Sequence, residues 1–387
     1  MIRMIIMITI FTTVISLSHY FIWRRLVKNT GVKNKSRKIL TYLIIFLGAL
    51  VPVSFSLARV LPYEFSFYML WVSNLWLGMM MLFMFSLLFV DLLKGISKLV
   101  KKVKKDNGVQ SPERREFISK SLALGVSSLV LGTTLFSIKN YYTAAIVKRV
   151  KIILNGLPKA FNGFKIVQIS DIHIGQIMRK HTLAAIVEQV NSLNPDIIAI
   201  TGDLVDGSID NLFDEVSPIK DLKAKHGVYF ITGNHEYYSG VEQWTKAVTD
   251  FGIKVLQNES VEIKKDNESF YLVGVNDREG GKFGEKHAPD FKKAFSGIPK
   301  NKKTVLLAHQ PHDMDKAVEF NADLVLSGHT HGGQIWPFGV FVTLQQKYLK
   351  GYYKHENTQL YVNQGTGCWG PPMRLDSENE ITEITLS

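Results

Sequence analysis

The stretch Lys165-Ile166-Val167-Gln168-Ile169-Ser170-Asp171-Ile172-His173 is an apolar, β-branched run that ends in an acid and an imidazole. A short run of this composition, closed by polar residues, reads as a buried strand. Five further runs share its character, at residues 197–201, 228–232, 270–275, 304–308 and 324–327. Helix-like patterns lie between them, such as residues 182–194, with Thr182 placed as N-cap and Pro195 beyond the end. Strands alternating with helices predict an α/β fold with ligands gathered at the strand ends.

The residues at the strand exits narrow the chemistry. The first strand opens onto Asp171-Ile172-His173, the second onto Gly202-Asp203-Leu204-Val205-Asp206, and the third onto Gly233-Asn234-His235-Glu236. The run at 304–308 leads to His309-Gln310-Pro311, and that at 324–327 to Gly328-His329-Thr330-His331. Five of the chain's 11 histidines fall in these motifs. Imidazole and carboxylate donors suit Mn, Fe, Zn or Co; a thiolate site would need cysteines, and Cys368 is the only one. Two such ions about 3.5–4 Å apart clamp a phosphoryl group and activate water at neutral pH, which calls for a bridging carboxylate. Asp203, at a tight turn begun by Gly202, is the expected bridge. Alternation along an extended segment would aim Asp171 with His173, and His329 with His331, into one site. Glycines at 202, 233 and 328 would let the backbone turn beneath it.

Taken in order, Asp-x-His, Gly-Asp-x-x-Asp, Gly-Asn-His-Glu, a single His and Gly-His-Thr-His resemble the calcineurin-like metallophosphoesterase superfamily, over residues 146–387. Asp171-Ile172-His173-Ile174-Gly175, residues 328–334 and Gly365-Thr366-Gly367-Cys368-Trp369-Gly370-Pro371-Pro372 look like its bacterial membrane-associated branch, which carries an N-terminal export or transmembrane segment. The resemblance implies a four-layer αββα sandwich with the site at the strand ends. It implies that Asp171, His173, Asp203 and His331 hold one metal ion, and Asp203, Asn234, His309 and His329 a second. His235 would act on the phosphate as general acid or electrostatic stabiliser, while Asp206 and Glu236 would be the carboxylates that orient site histidines. The implied reaction is hydrolysis of a phosphomonoester, phosphodiester or pyrophosphate. The alternative is a metal-binding sensor or assembly factor at the membrane, which would bind metal without turnover.

The first 140 residues predict an all-α transmembrane segment of about four helices. Residues 4–23, 39–58 and 65–90 carry no charged side chain and are long enough to cross about 30 Å of hydrocarbon; residues 121–138 form a shorter fourth stretch. Arg24, Arg25, Lys28, Lys33, Lys35, Arg37 and Lys38 crowd the first loop, and Lys94, Lys98, Lys101, Lys102, Lys104, Lys105, Arg114 and Arg115 the third; the second, around Arg59 to Glu64, has one basic residue. Basic loops stay in the cytoplasm, so everything after the fourth helix is expected outside it, in a multi-pass protein of the bacterial cell membrane. Residues Glu113 to Lys120 resemble a twin-arginine export signal placed internally. His19 is the only ionisable group in these spans, which argues against a transporter.

The net charge of +12 suggests a nucleic-acid partner, but its distribution does not. Residues 1–150 hold 21 Lys/Arg against 5 Asp/Glu, leaving 25 against 29 in the remainder. The C-terminal part is thus near neutral and lacks the footprint of a nucleic-acid binder. Its aromatic residues Trp336, Phe338, Phe341, Tyr348, Tyr352 and Tyr353, beside a membrane segment, suit a phosphorylated lipid, lipid-linked sugar or envelope polymer as substrate; packing of a surface hairpin is the other use for them. These motifs do not bear on oligomeric state.

Overall fold

The computed structural model describes residues 2–58, 61–104 and 111–387, so Arg59 and Lys105 lie outside the described residues. The chain divides into two compact units, Met1–Lys139 with Gly370–Met373, and Asn140–Trp369 with Arg374–Ser387.

Four long helices occupy the N-terminal region: α1 (Ile2–Leu26), α2 (Asn34–Leu57), α3 (Tyr63–Val103) and α4 (Pro112–Tyr142). By length and composition, α2, α3 from Phe65 onward, and α4 can cross a membrane. Ile39, Ile45, Phe46, Phe89, Leu129 and Leu135 are exposed on these helices, an outer surface suited to hydrocarbon rather than water. His19 is buried and accepts a hydrogen bond from Trp76 Nε1 at 2.8 Å, so it is a satisfied interior histidine. Two expectations change. Lys94, Lys98, Lys101 and Lys102 continue α3 instead of forming a loop, because their near-helical spacing, interleaved with Ile96, Leu99 and Val100, keeps a 3.6-residue period. Arg114 and Arg115 lie in the first turns of α4, and residues 121–138 are the interior of that helix.

The second unit carries β1 (Ile146–Ile152), β2 (Lys165–Ile169), β3 (Ile197–Ile200), β4 (Val228–Phe230), β5 (Lys254–Val255), β6 (Glu259–Lys265), β7 (Glu268–Gly274), β8 (Thr304–Leu307), β9 (Leu324–Ser327), β10 (Gly351–His355), β11 (Thr358–Val362) and β12 (Glu380–Leu386). They form two six-stranded sheets, ordered β1-β12-β2-β3-β4-β5 and β10-β11-β9-β8-β7-β6. Its helices are α5 (Lys180–Ser192), α6 (Ile209–Val216), α7 (Asn234–Ser239), α8 (Val241–Asp250), α9 (Phe291–Ala294), α10 (Met314–Glu319) and α11 (Gly339–Gln346). The six strands expected from the sequence are β2, β3, β4, β7, β8 and β9. All six are buried on both faces, which is why their apolar runs are continuous.

Ile166, Ile197, Ala199 and Tyr229 of one sheet meet Phe270, Leu272, Val305, Leu307 and Leu324 of the other in a single core. On the far side of the second sheet, Val273, Leu306, Val325 and Leu360 pack with Phe291 and Ala294 of α9 and Met314 and Ala317 of α10. Helix α5 buries Leu183, Ile186, Val187 and Val190, the i, i+3, i+4, i+7 stripe of a helix laid on a core. Its N-cap position is Arg179 rather than Thr182, which falls within the first turn. Strands β2, β3 and β4 run parallel, as do β8 and β9, so their C-terminal ends share an edge in each sheet. Every residue of the five sequence motifs lies just beyond those ends.

Candidate metal centre

Three overlapping groups of side chains converge there. Asp171, His173 and His331 present ligand atoms within 4.8 Å of one another, as do His173, Asp203 and His235, and Asp203, His309 and His329. Asp203 belongs to two of the groups, and its Oδ2 lies 3.1 Å from His309 Nε2 and 3.7 Å from His173 Nε2. His173 Nε2 and His331 Nε2 stand 3.1 Å apart, and His331 Nε2 is 3.6 Å from Asp171 Oδ1. Asn234 Oδ1 is buried without a hydrogen-bond partner. Buried nitrogen and oxygen lone pairs pointed at one another are costly unless a cation lies among them, so this donor set fits divalent metal.

The backbone brings these groups together by a route other than the alternation expected. Asp171, His173, Asp203, His329 and His331 all have positive φ, from 50° to 70°. Left-handed non-glycine residues are strained, and their concentration here marks a site held in place by the surrounding fold. Of the three glycines, Gly202 has a positive φ of 90°. Gly233 and Gly328 are required instead for space: a Cβ would stand 2.2 Å from Asp203 Oδ1 at the first and 2.1 Å from Asp171 Oδ2 at the second.

Hydrogen bonds fix the site from behind. His309 Nδ1 donates to the Thr201 carbonyl at 2.7 Å, which leaves Nε2 to face Asp203. Both oxygens of Asp171 accept from His329 N–H at 2.9 Å. Glu236 does not touch a site histidine as expected; its carboxylate collects the backbone N–H groups of Asp203, Leu204 and Gly233, at 3.0, 2.8 and 2.6 Å, and so ties the second motif to the third. Asp206 does meet a histidine: its Oδ1 accepts from His235 Nδ1 at 2.5 Å.

The electrostatics divide the imidazoles. Burial lowers the pKa of His173 to about 4 and of His329 to about 3, holding both neutral, the form that donates a lone pair to a cation. Burial works the same way on His235, but the hydrogen bond it donates to Asp206 and the charge of Asp203 outweigh it and raise the pKa to about 9, so this ring carries a proton. Burial likewise opposes the charged form of His309, yet neighbouring Asp203 lifts its pKa well above normal and is itself held well below the usual carboxylate range. A cation between those two groups would take the place of that proton. Burial also raises Asp171 to about 6 and Glu236 to about 7.

Arg374 and Tyr238 escaped sequence reasoning. Arg374 is fully buried and donates to the carbonyls of His331 at 3.0 Å, Gln364 at 2.8 Å and Gly365 at 3.0 Å, joining the last histidine motif to the Gly365–Pro372 segment. Gly367 lies against the first motif: its N–H donates to the Asp171 carbonyl at 3.1 Å, and a Cβ there would stand 2.1 Å from the Ile172 carbonyl. At the mouth, the exposed rings of Tyr238 and Trp369 flank His235, with centroids 5.3 and 5.6 Å from it. The remaining aromatic residues divide: Tyr348 and Tyr353 pack on the core of the second sheet, whereas Trp336, Phe338, Phe341 and Tyr352 are exposed.

Comparison with known proteins agrees with this geometry. The calcineurin-like phosphoesterase family matches residues 164–333. A metallophosphoesterase of Helicobacter pylori is 38% identical over 275 residues, 70% of this chain and 72% of its own. A transmembrane protein with metallophosphoesterase domain from Danio rerio is 34% identical over 319 residues, 80% of this chain and 72% of its own. The metallophosphoesterase YkuE of Bacillus subtilis is 31% identical over 238 residues, 59% of this chain and 81% of its own.

Proposed function

This chain belongs to the calcineurin-like phosphoesterase family, a metal-dependent phosphoric ester hydrolase by that membership, and from that premise we propose that it holds two divalent cations and acts on phosphate esters at a membrane. One cation would be held by Asp171, His173, Asp203 and His331, the other by Asp203, Asn234, His309 and His329, with Asp203 shared. The observation that carries this reading is the chain of overlapping groups, in which His173 joins Asp171 and His331 to Asp203, and Asp203 joins His309 and His329, together with the buried, unpartnered Asn234 Oδ1 of the motif that also holds His235. Such ions, drawn from Mn, Fe, Zn or Co, supply Lewis acidity that activates water and neutralises charge on phosphoryl oxygens.

The chain's own groups account for the rest. His235 is protonated, and its Nδ1 is committed to Asp206, so Nε2 is the nitrogen free to give a proton to the leaving oxygen. Asp206 keeps the ring turned so that this proton faces the substrate. Asp171, His173, Asp203, His309 and His331 are buried, and on the open side the exposed rings of Tyr238 and Trp369 offer apolar contact to the alcohol part of an ester. Three apolar helices on the same chain favour a lipid or lipid-linked ester, of mono-, di- or pyrophosphate type. The Lys and Arg distribution supports a multi-pass arrangement, residues 1–140 in the membrane and 146–387 on the extracytoplasmic side of a bacterial cell.

The test uses the full chain in lipid nanodiscs, loaded in turn with each metal, with bound metal and hydrolysis of bis-p-nitrophenyl phosphate measured together. Asp203→Asn is expected to lose metal and rate. His235→Ala should keep its metal and lose rate by about 10²–10⁴-fold. Undiminished hydrolysis in both variants would overturn the assignment.

A further inference from the structure

Residues 336–346 read Trp-Pro-Phe-Gly-Val-Phe-Val-Thr-Leu-Gln-Gln, a run without a charged side chain that begins five residues after His331. It is a fixed projection. Gly333 comes so close to Gly339 that a Cβ on the first would stand 2.4 Å from the Cα of the second, which closes the base. Trp336 N–H donates to the Leu375 carbonyl at 3.0 Å, and Leu375 N–H to the Gln334 carbonyl at 2.8 Å. The far end is held by Gln346, buried, with its Nε2 donating to Gln310 Oε1 at 3.3 Å. Between these anchors the apolar side chains face outward: Trp336 is 60% exposed, Val340 59%, Phe341 54% and Leu344 81%. Val340 and Leu344 are one helical turn apart on α11, with Phe341 beside them, so they form one face.

A charge-free apolar face of this size marks an interaction surface. A bilayer is the partner this chain brings within reach, because α4 ends at Tyr142 and β1 begins at Ile146, leaving three residues, roughly 10 Å of chain, between a helix apolar enough to span and the first strand of this unit. Tryptophan and phenylalanine next to aliphatic residues are the side chains that settle at the boundary of headgroups and acyl chains. We propose that residues 336–344 dip into the lipid surface, so that the hydrolytic site opens close to the headgroups. The inference rests on the reading of the chain as membrane-anchored.

The two readings separate experimentally. Cys368 is buried, so Leu344→Cys in the otherwise intact chain carries a single accessible thiol for an environment-sensitive fluorophore. Phe46→Cys, on the exposed face of α2, is labelled in the same way, and hydrolysis of a water-soluble ester by each labelled chain verifies folding. In nanodiscs, phosphatidylcholine with brominated acyl chains is expected to quench both labels at least two-fold, with aqueous iodide leaving both nearly unchanged. Quenching of Phe46→Cys by bromolipid together with quenching of Leu344→Cys by iodide alone would overturn the lipid contact and keep the anchor. Loss of bromolipid quenching at both would remove the anchor and the inference with it. A Leu344→Cys label shielded from both quenchers would mean that protein, such as a second copy of the chain, covers the face, and would equally overturn the proposal.

Discussion

His173 and His331 face each other through their Nε2 atoms at 3.1 Å, both rings buried and both pKa values lowered by that burial. Two neutral imidazoles cannot each donate across such a gap, and Nδ1 of each is also without a partner. The folded chain therefore gains from a cation that its unfolded form cannot hold. Saturation with Mn at about 100 times the dissociation constant should stabilise the phosphoesterase domain by about 2.7 kcal/mol, visible as a rise in melting temperature that a chelator reverses. In His331→Ala the metal-dependent rise should shrink or vanish; an unchanged rise would remove His331 from the ligand set.

Asp206 and His235 act as a unit, so Asp206→Asn should resemble His235→Ala in rate while keeping bound metal. Proton donation matters most when the leaving oxygen is a poor leaving group. The loss should accordingly be larger for an alkyl phosphate than for a p-nitrophenyl phosphate, a comparison made with kcat on the two substrate classes. Equal losses on both would show that the pair orients substrate and donates no proton.

Arg374 answers four backbone carbonyls, those of His331, Gln364, Gly365 and Gly367, and has no carboxylate among the hydrogen bonds it makes to the site loops. Methionine at this position fills similar volume but removes a donor from all four; the His331 and Gly365 carbonyls keep the N–H groups of Gln334 and Glu380, while those of Gln364 and Gly367 lose the guanidinium with no such replacement, at a cost of about 3–5 kcal/mol. Arg374→Met should unfold the phosphoesterase domain at lower temperature, and lysine should fail to restore it, since one ammonium cannot span the fork that the guanidinium makes. A melting temperature within one or two degrees of the parent chain would contradict this.

The contrast between Arg374 and the histidines explains what the sequence disclosed. The convergence of Asp171, His173, Asp203, His235, His309, His329 and His331 was legible because acids and imidazoles follow buried strands in a fixed order along the sequence. Arg374 serves backbone carbonyls, which have no side-chain signature in the sequence. Strands β2, β3 and β4 were legible through unbroken apolar runs, whereas β1 interleaves Lys148, Arg149 and Lys151 and β6 ends in two lysines, as strands with one solvated face do. Strand β12 hid for a different reason: its Glu380 is buried, accepting from Tyr361 OH at 2.7 Å and Gln364 Nε2 at 2.8 Å, so an interior position carries a charge-type residue. The left-handed turns at Asp171 and His173 were illegible because Asp and His, although enriched among left-handed residues, adopt a positive φ only in a small minority of positions.

Gly328 tests the space argument separately from the dihedral one. An alanine Cβ there would stand 2.1 Å from Asp171 Oδ2 and from Ser170 Oγ, so the carboxylate must shift out of line with His331. Gly328→Ala should bind metal at least about tenfold more weakly, in the range seen when groups supporting a metal ligand are removed, with its circular dichroism unchanged. Gly281→Ala, where the nearest neighbour would be a methyl at 3.5 Å, is the matched control and should bind as the parent does. Equal affinities would mean that Asp171 accommodates the methyl and that the glycine is dispensable.

Asp313 gives the phosphoesterase domain a pH dependence of its own. It lies four residues beyond His309, and burial raises its pKa from 3.8 to about 7 even though the partly exposed Arg278 guanidinium, 3.4 Å away, pulls the other way. Its Oδ2 is buried without a hydrogen-bond partner, an arrangement that the neutral acid tolerates and the carboxylate does not. The unfolded chain ionises near the ordinary value, so the fold takes up a proton that the unfolded state has released. Stability from this group is therefore complete below about pH 4, declines as pH rises through about 7, and is gone above it, a change of roughly 2–4 kcal/mol. Asp313→Asn keeps the shape and removes the ionisation. Its melting temperature should exceed that of the parent chain at pH 8.5, and the difference should close as the pH falls to 4. A difference that stays constant across that range would show that Asp313 is ionised in the fold at every pH, held by Arg278, and that burial does not govern it.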